Sequence, residues 1–304
     1  MSAISPPSTK LPPHLVLFVG ILAVSSSALL IRYAQREAPS LVIAAFRMGF
    51  SALILLPLTL PRHAPELRRL TRFELGLAAL GGGLLALHFA SWILSLEYTS
   101  VASSVVLVTT NPLWVALLAP LFLKERLTPA VLLGMLVALS GGLLVGLSSS
   151  GNLAAGSQPL LGNFLALVGA WTGAGYILIG RRLRPVLPLT PYIFLVYGMA
   201  ALVLAAMLAF SGLPVSGFSS EIYLYMLLLA LLPQLLGHSS FNWALAHLPA
   251  SFVSIALLGE PVGAIILAFF LLGETPGLLE LLGGALILAG IFIATVQPSA
   301  KKGG

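Results

Sequence analysis

The chain has no cysteine, and every acidic residue among its 9 Asp and Glu positions is a glutamate. Without thiols there are no disulfides, thiolate nucleophiles or Cys-built zinc sites, and without aspartate there are no Asp-built metal or protease centres. Charge is scarce altogether. Only 8% of residues are charged while 59% are hydrophobic, against roughly a quarter charged in a soluble domain. Water is therefore not the main solvent of this protein, and most enzyme classes lose the groups they need. The net charge of +6 does not point to nucleic acid, because the basic residues lie between apolar runs rather than on one stripe or tail. Residues 1–13 are rich in Pro and Ser. No small-residue cleavage site follows them, so no removable signal peptide is expected.

What fills the chain instead is a series of long apolar runs. A bilayer core about 30 Å thick requires about 20 apolar residues per helix at about 1.5 Å each. Ten stretches qualify, at 14–31, 41–60, 73–95, 100–122, 128–147, 159–180, 190–211, 223–246, 249–272 and 277–297. They are continuous and lack the alternation of membrane strands, which excludes a barrel. With the N-terminus inside, the cytoplasmic side holds Lys10, Arg62, Arg68, Arg69, Arg72, Lys124, Arg126, Arg181, Arg182, Arg184, Lys301 and Lys302. The other side holds only Arg32 and Arg36. Basic connections are retained in the cytoplasm, so both termini are expected there, in a cell inner membrane.

Sliding the sequence against itself by 149 residues, without a gap, brings its features into register. Gly20 meets Gly169, Arg32 meets Arg181, Pro39 meets Pro188, Gly49 meets Gly198, Ser91 meets Ser240, Pro112 meets Pro261, Glu125 meets Glu274 and Gly141 meets Gly290. Each copy carries five spans, an odd number, so the second enters the membrane from the opposite side. The expected fold is thus an all-α integral membrane protein of ten transmembrane helices, arranged as two inverted five-helix repeats around a central cavity. Secondary transporters use this arrangement for alternating access. The expected organisation is a cytoplasmic tail at 1–13, repeat 1 at 14–148, a connecting loop at 149–158, repeat 2 at 159–297 and a cytoplasmic tail at 298–304.

Glu97-Tyr98-Thr99-Ser100 through Asn111-Pro112, then Lys124-Glu125-Arg126-Leu127-Thr128 and Gly141-Gly142, resemble the EamA repeat of the drug/metabolite transporter superfamily. The second copy reads Pro249-Ala250-Ser251, Gly259-Glu260-Pro261 and Gly273-Glu274-Thr275. The resemblance covers nearly the whole chain. It implies ten helices, cytoplasmic termini, and a cavity lined mainly by spans 1, 3, 4, 6, 8 and 9. Within the superfamily the chain is most similar to YddG-type exporters of aromatic and other apolar amino acids.

Polar groups inside spans are costly and so are candidates for function. Asn111-Pro112 and Glu260-Pro261 are repeat mates about halfway along spans 4 and 9. Each proline frees a carbonyl at membrane depth, which fits either a wet cavity with gating or a bend that only closes the bundle. Glu260 is the one carboxylate near a span centre and Arg47 the one Lys or Arg inside a span. Counted along their helices, Glu260 lies roughly 16 Å from the cytoplasmic end and Arg47 roughly 10 Å from the outer end. The two are therefore expected to pair or to share a polar network, unless Arg47 binds backbone carbonyls or snorkels. His88, Ser91, Trp92 and Ser95 share one face of span 3, and Gln234, His238, Phe241 and Asn242 one face of span 8. The plainer reading of the serines is hydrogen bonding that glues helices together. Trp171, Thr172 and Tyr176 on span 6, opposite Ser25, Ser26 and Ser27, complete the expected lining. Two histidines without carboxylates at ligand spacing make no metal site, and no cofactor is expected.

Aromatic walls with few polar handles suit an amphipathic solute with a small charged head. The leading expectation is a carrier that exports aromatic and other apolar amino acids. A multidrug or lipophilic-cation exporter of the same superfamily is the alternative, set against by the lack of a Glu in span 1. An intramembrane enzyme would need paired acids or an activated nucleophile, and neither is present. A coupling proton would have Glu260, His88 and His238 as its carriers.

Overall fold

The computed structural model describes residues 11–99, 104, 107–125, 127–148, 158–272 and 277–295. The expected tail at 298–304, the loop at 149–157 and the motif residues Ser100, Arg126 and Gly273-Glu274-Thr275 lie outside the described residues. Among the described residues there are ten helical rods and no strand. They are α1 (Pro13–Ala34), α2 (Ser40–Arg68), α3 (Arg72–Tyr98), α4 (Asn111–Phe122), α5 (Pro129–Ser148), α6 (Pro159–Leu183), α7 (Leu189–Ser211), α8 (Ser220–Ala244), α9 and α10 (Leu278–Thr295). The ninth is composite, running Ala250–Ala256, a 3₁₀ turn Leu257–Gly259 and Glu260–Leu272. Six rods are long and apolar enough to cross a membrane alone; the four shorter apolar ones belong to α4, α5, α9 and α10.

The packing follows the repeat. α3 packs along α6, and its mate α8 packs along α1, the mate of α6. Likewise α4 on α6 is matched by the second half of α9 on α1. Two pairs are their own mates, α2 with α7 and α5 with α10, and these sit on the pseudo-twofold. Small residues permit the close approaches. A methyl on Gly141 would meet the carbonyl oxygen of Gly283 at 2.5 Å, and one on Gly290 would meet that of Gly134 at 2.5 Å. In lipid, where apolar surfaces gain little by leaving the solvent, such backbone proximity is what holds helices together.

Several spans differ from an even reading of hydropathy. α2 continues to Arg68, past the expected end at 60, although Pro57, Pro61 and Pro65 each remove a helix hydrogen bond; the three recur every four residues along one exposed side. α1 breaks at Ser26, where Ser25 Oγ donates to Ile21 O at 2.7 Å and Ser26 Oγ to Ala23 O at 2.8 Å. α8 widens into π-helix over Ala230–His238. Pro233 lies in that segment, and its ring and missing N–H are incompatible with ordinary α turns. Pro112 and Pro261, expected as kinks, do not bend continuous helices. Thr109 and Thr110 form a turn, after which α4 starts at Asn111; Glu260-Pro261 likewise follows the 3₁₀ turn. Each proline thus falls in a first helical turn, where its lacking N–H would have no partner anyway.

Candidate functional site

Between α1, α3, α4, α6, α8 and α9 lies a cavity of about 90 Å³, lined by apolar side chains with a few convergent polar groups, as small-molecule sites are. These are the six spans the family resemblance implied. Helical phase places the lining side chains: Val24 and Ser27 are three apart on α1, His88 and Trp92 four apart on α3, and Gly173 and Tyr176 three apart on α6. His238, Phe241 and Asn242 face it from α8, Asn111 and Pro112 from α4, and Ser254, Leu257 and Glu260 from α9.

Aromatic rings from α3, α6 and α8 form one part of the wall, and aliphatic side chains much of the rest. The His88 ring stacks against Trp92 at 6.0 Å, while His238 meets Phe89 at 5.3 Å and Phe241 at 6.0 Å edge-on. His88 Nδ1–H donates to Gly169 O at 2.8 Å, so in the neutral ring Nε2 is left as an acceptor. Asn111 Nδ2 donates to Ala170 O at 3.1 Å. Asn242 Nδ2 donates to the hydroxyls of Tyr176 and Tyr197. Three polar atoms of lining residues have no protein partner: the donor Trp92 Nε1 and the acceptors Asn111 Oδ1 and Asn242 Oδ1. Unsatisfied buried polar atoms cost about 1–3 kcal/mol each, and a bound solute or water relieves that cost.

The glutamates divide into two groups. Glu37 accepts from the Ser219 N–H at the start of α8, Glu97 from that of Ser40 at the start of α2, and Glu125 from that of Ala250 at the start of α9. Negative charge is favoured at these helix N-termini. Glu74 closes the capping box of α3 with Thr71, Glu66 pairs with His63, and Glu221 accepts from Tyr225. Only Glu260, among the carboxylates whose side chains are described, has no hydrogen-bond or ion-pair partner among the described residues; its backbone carbonyl accepts from Ser25 Oγ at 2.9 Å while its side chain lines the cavity.

Comparison with known families covers both halves of the chain. The model of the EamA-like transporter family matches residues 11–147 and again 160–296. The chain belongs to the EamA-like transporter family. This EamA-like transporter is 25% identical over 289 residues to an uncharacterized transporter of Archaeoglobus fulgidus, with 93% of this chain and 97% of that protein covered. It is 28% identical over 218 residues to a probable terminal-alkyne amino-acid exporter of Streptantibioticus cattleyicolor, covering 64% of each. A solved structure at 21% identity superposes with a TM-score of 0.77 over 93% of this chain and 96% of the other, which shows a shared fold. The protein is a multi-pass membrane transporter with an inverted repeat.

Of the expected lining of this EamA-like transporter, His88, Trp92, Asn111, Pro112, Tyr176, His238, Phe241, Asn242 and Glu260 come together at the cavity. Other expectations do not hold in the geometry. Thr172, Ser25 and Ser26 do not line the cavity; each hydroxyl donates to a carbonyl three or four residues back. Trp171 is 40% exposed and stacks edge-on with Trp114 and Phe164 outside the cavity. Ser91 does not line it; its hydroxyl donates to Leu87 O at 2.6 Å within α3, and the side chain packs on Gly169. Arg47, expected to pair with Glu260 or to share a polar network with it, forms no direct ion pair with that carboxylate, but the two charges act on each other. Fully buried, Arg47 donates from Nε to Gln234 Oε1 at 2.9 Å and from Nη1 to Ser27 Oγ at 3.0 Å, and its guanidinium lies over the Phe89 ring at 4.0 Å. Ser27 in turn faces the cavity, so Arg47 stands behind the wall rather than in it. Tyr197 and Phe89 are the residues this network adds to the expected ones. Neither carried a motif; helical phase relative to Trp92, three residues on, would have found Phe89, whereas Tyr197 reaches Asn242 from another helix and nothing local marked it.

Proposed function

We propose that this EamA-like transporter exports amino acids with aromatic or other apolar side chains across the cell's inner membrane by alternating access, with both termini in the cytoplasm. The observation that carries the reading is Glu260, a carboxylate without a hydrogen-bond or ion-pair partner among the described residues, facing a cavity of aliphatic and aromatic side chains. The substrate's ammonium group sits at Glu260 with Asn111 Oδ1 and Asn242 Oδ1 as further acceptors. Trp92 Nε1 supplies a donor for the carboxylate, and the apolar side chain lies among Trp92, His238 and Phe241. Both ends of a zwitterion then find complementary groups, and desolvating it in the membrane is offset by directed bonds. The amino-acid exporter among the relatives supports the same class. Arg47, held behind Ser27, adds positive potential without touching the solute.

The test is flux of labelled tryptophan, phenylalanine and leucine into liposomes holding the purified protein, with lysine, glutamate and a lipophilic cation in parallel. Flux of the apolar amino acids that each of the others competes for weakly supports the reading; flux of the lipophilic cation alone overturns it. An imposed pH gradient that accelerates flux in the native protein, but not in Glu260→Gln, assigns a coupling proton to Glu260. Flux indifferent to the gradient makes the carrier facilitative.

A further inference from the structure

A second hollow, of about 850 Å³, opens on the outside of the bundle between α3, α4 and α6, and shares no lining residue with the central cavity. Its wall is aliphatic and aromatic: Phe73, Leu77, Leu80 and Leu84 from α3, Leu118 and Phe122 from α4, Leu178 and Ile179 from α6. Phe73 is 68% exposed, Leu80 55% and Phe122 68%, so no part of the described protein covers it. The polar residues on it are two cations at one end, Lys124 after α4 and Arg182 in the last turn of α6. Neither has a hydrogen-bond or ion-pair partner among the described residues, in contrast to neighbouring Arg181, which binds Glu125 at 2.6 Å. From Phe73 to Leu84 the wall runs 11 residues along α3, about 16 Å at 1.5 Å per residue, or about half of a 30 Å hydrocarbon core.

We infer that this groove is a binding site for a single anionic phospholipid of the leaflet on the basic side, with its acyl chain along α3 and its phosphate between Lys124 and Arg182. Three observations converge. The depth of the apolar wall equals one leaflet. Two unpaired cations stand where the headgroup lies, and clustered basic residues at that level select anionic lipid. The repeat supplies an internal control. The mates of Phe73, Leu77, Leu80, Leu118, Phe122 and Leu178 are Ile222, Met226, Leu229, Leu267, Leu271 and Leu29, all apolar, whereas those of Lys124 and Arg182 are Gly273 and Tyr33. The apolar wall is thus what the fold demands of both copies, and the cations belong to one. Lys124 also holds φ at 57°, a left-handed backbone that costs a non-glycine residue roughly 1–2 kcal/mol. The second copy has glycine at that position, and the first keeps a lysine despite the strain. The inference does not depend on which solute the carrier moves.

Native mass spectrometry of the full chain in detergent, given equimolar phosphatidylglycerol and phosphatidylcholine with identical acyl chains, tests it. The expected result is at least a fivefold preference for one bound phosphatidylglycerol, falling to parity in Lys124→Gln/Arg182→Gln. In Arg62→Gln/Arg68→Gln, whose cations lie on α2 and do not line the groove, the preference persists. Leu80→Trp, which fills the wall, reduces binding of both lipids. Parity in the native protein, or a preference that survives the first double variant, overturns the site. Equal loss in the α2 variant assigns the preference to the diffuse positive face and overturns it too. Full competition by soluble glycerol phosphate makes it a phosphate site and overturns the lipid. Unchanged melting in detergent establishes that each variant is folded.

Discussion

At the break in α4 the restarted helix begins with Asn111, whose amide nitrogen is tied to Ala170 O at 3.1 Å. At the matching break in α9 it begins with Glu260, whose carboxylate has no hydrogen-bond or ion-pair partner among the described residues. Both breaks sit at the same cavity, and both place the positive end of a half-helix there. One copy therefore ties its polar side chain into the scaffold while the other leaves it for the solute. A symmetric frame with one free charge binds a polar substrate in one orientation, which two identical halves would not do.

The sharpest way to break this comparison is Glu260→Gln. Apolar amino-acid flux is expected to fall at least tenfold while the protein melts no lower, since removing an unpaired charge from the membrane interior relieves a desolvation penalty of several kcal/mol. Normal flux in that variant would end the assignment. Gly173→Ala is next. Its new methyl would lie 2.9 Å from both Asn111 Nδ2 and His88 Nδ1, and such overpacking costs about 1–3 kcal/mol. Flux is expected to drop about three- to tenfold, read alongside the melting temperature. Asn111→Ala, on the tied side of the comparison, removes one hydrogen bond worth about 1 kcal/mol. Its flux should fall less than that of Glu260→Gln; an equal loss would mean the two copies contribute alike.

The smallest expected effect concerns the connection after α8. Burial, with the charges of Arg184 and Arg181 beside it, holds the His247 pKa below its usual 6.5. The unfolded chain then binds the proton more readily, so stability is full above about pH 6.5 and declines as pH falls through it. The repeat mate of His247 is Tyr98, which does not titrate there, so the effect is confined to one end. His247→Gln should flatten the decline in melting temperature between pH 7 and 5.

Most of the frame was legible because ten apolar runs and one ungapped offset are properties of sequence alone. Glu260 and Asn111 could be found the same way, since the repeat pairs them and bilayer cost marks them. What failed was phase. Trp171 is two residues from both Gly169 and Gly173, about 200° round a helix from the face they share, so residue type suggested the wall and rotation put it outside. Arg47 was matched to Glu260 by depth, but depth leaves azimuth open, and neutral Gln234 and Ser27 hold it instead. The broken spans were hidden for another reason. Hydropathy averages over a turn, so only the prolines signalled that α4 and α9 restart and that α8 widens.

The wide turns of Ala230–His238 set an angle. Each residue of an α-helix advances about 100°, so a stretch with more residues per turn rotates everything beyond it relative to what came before. Tyr225, stacked on Tyr33 before the segment, and Asn242, reaching Tyr176 after it, keep their directions only at that particular pitch. Removing a single residue there would leave composition, length and hydropathy nearly unchanged. It would nonetheless swing His238, Phe241 and Asn242 off the solute like the teeth of a key cut one notch out of step.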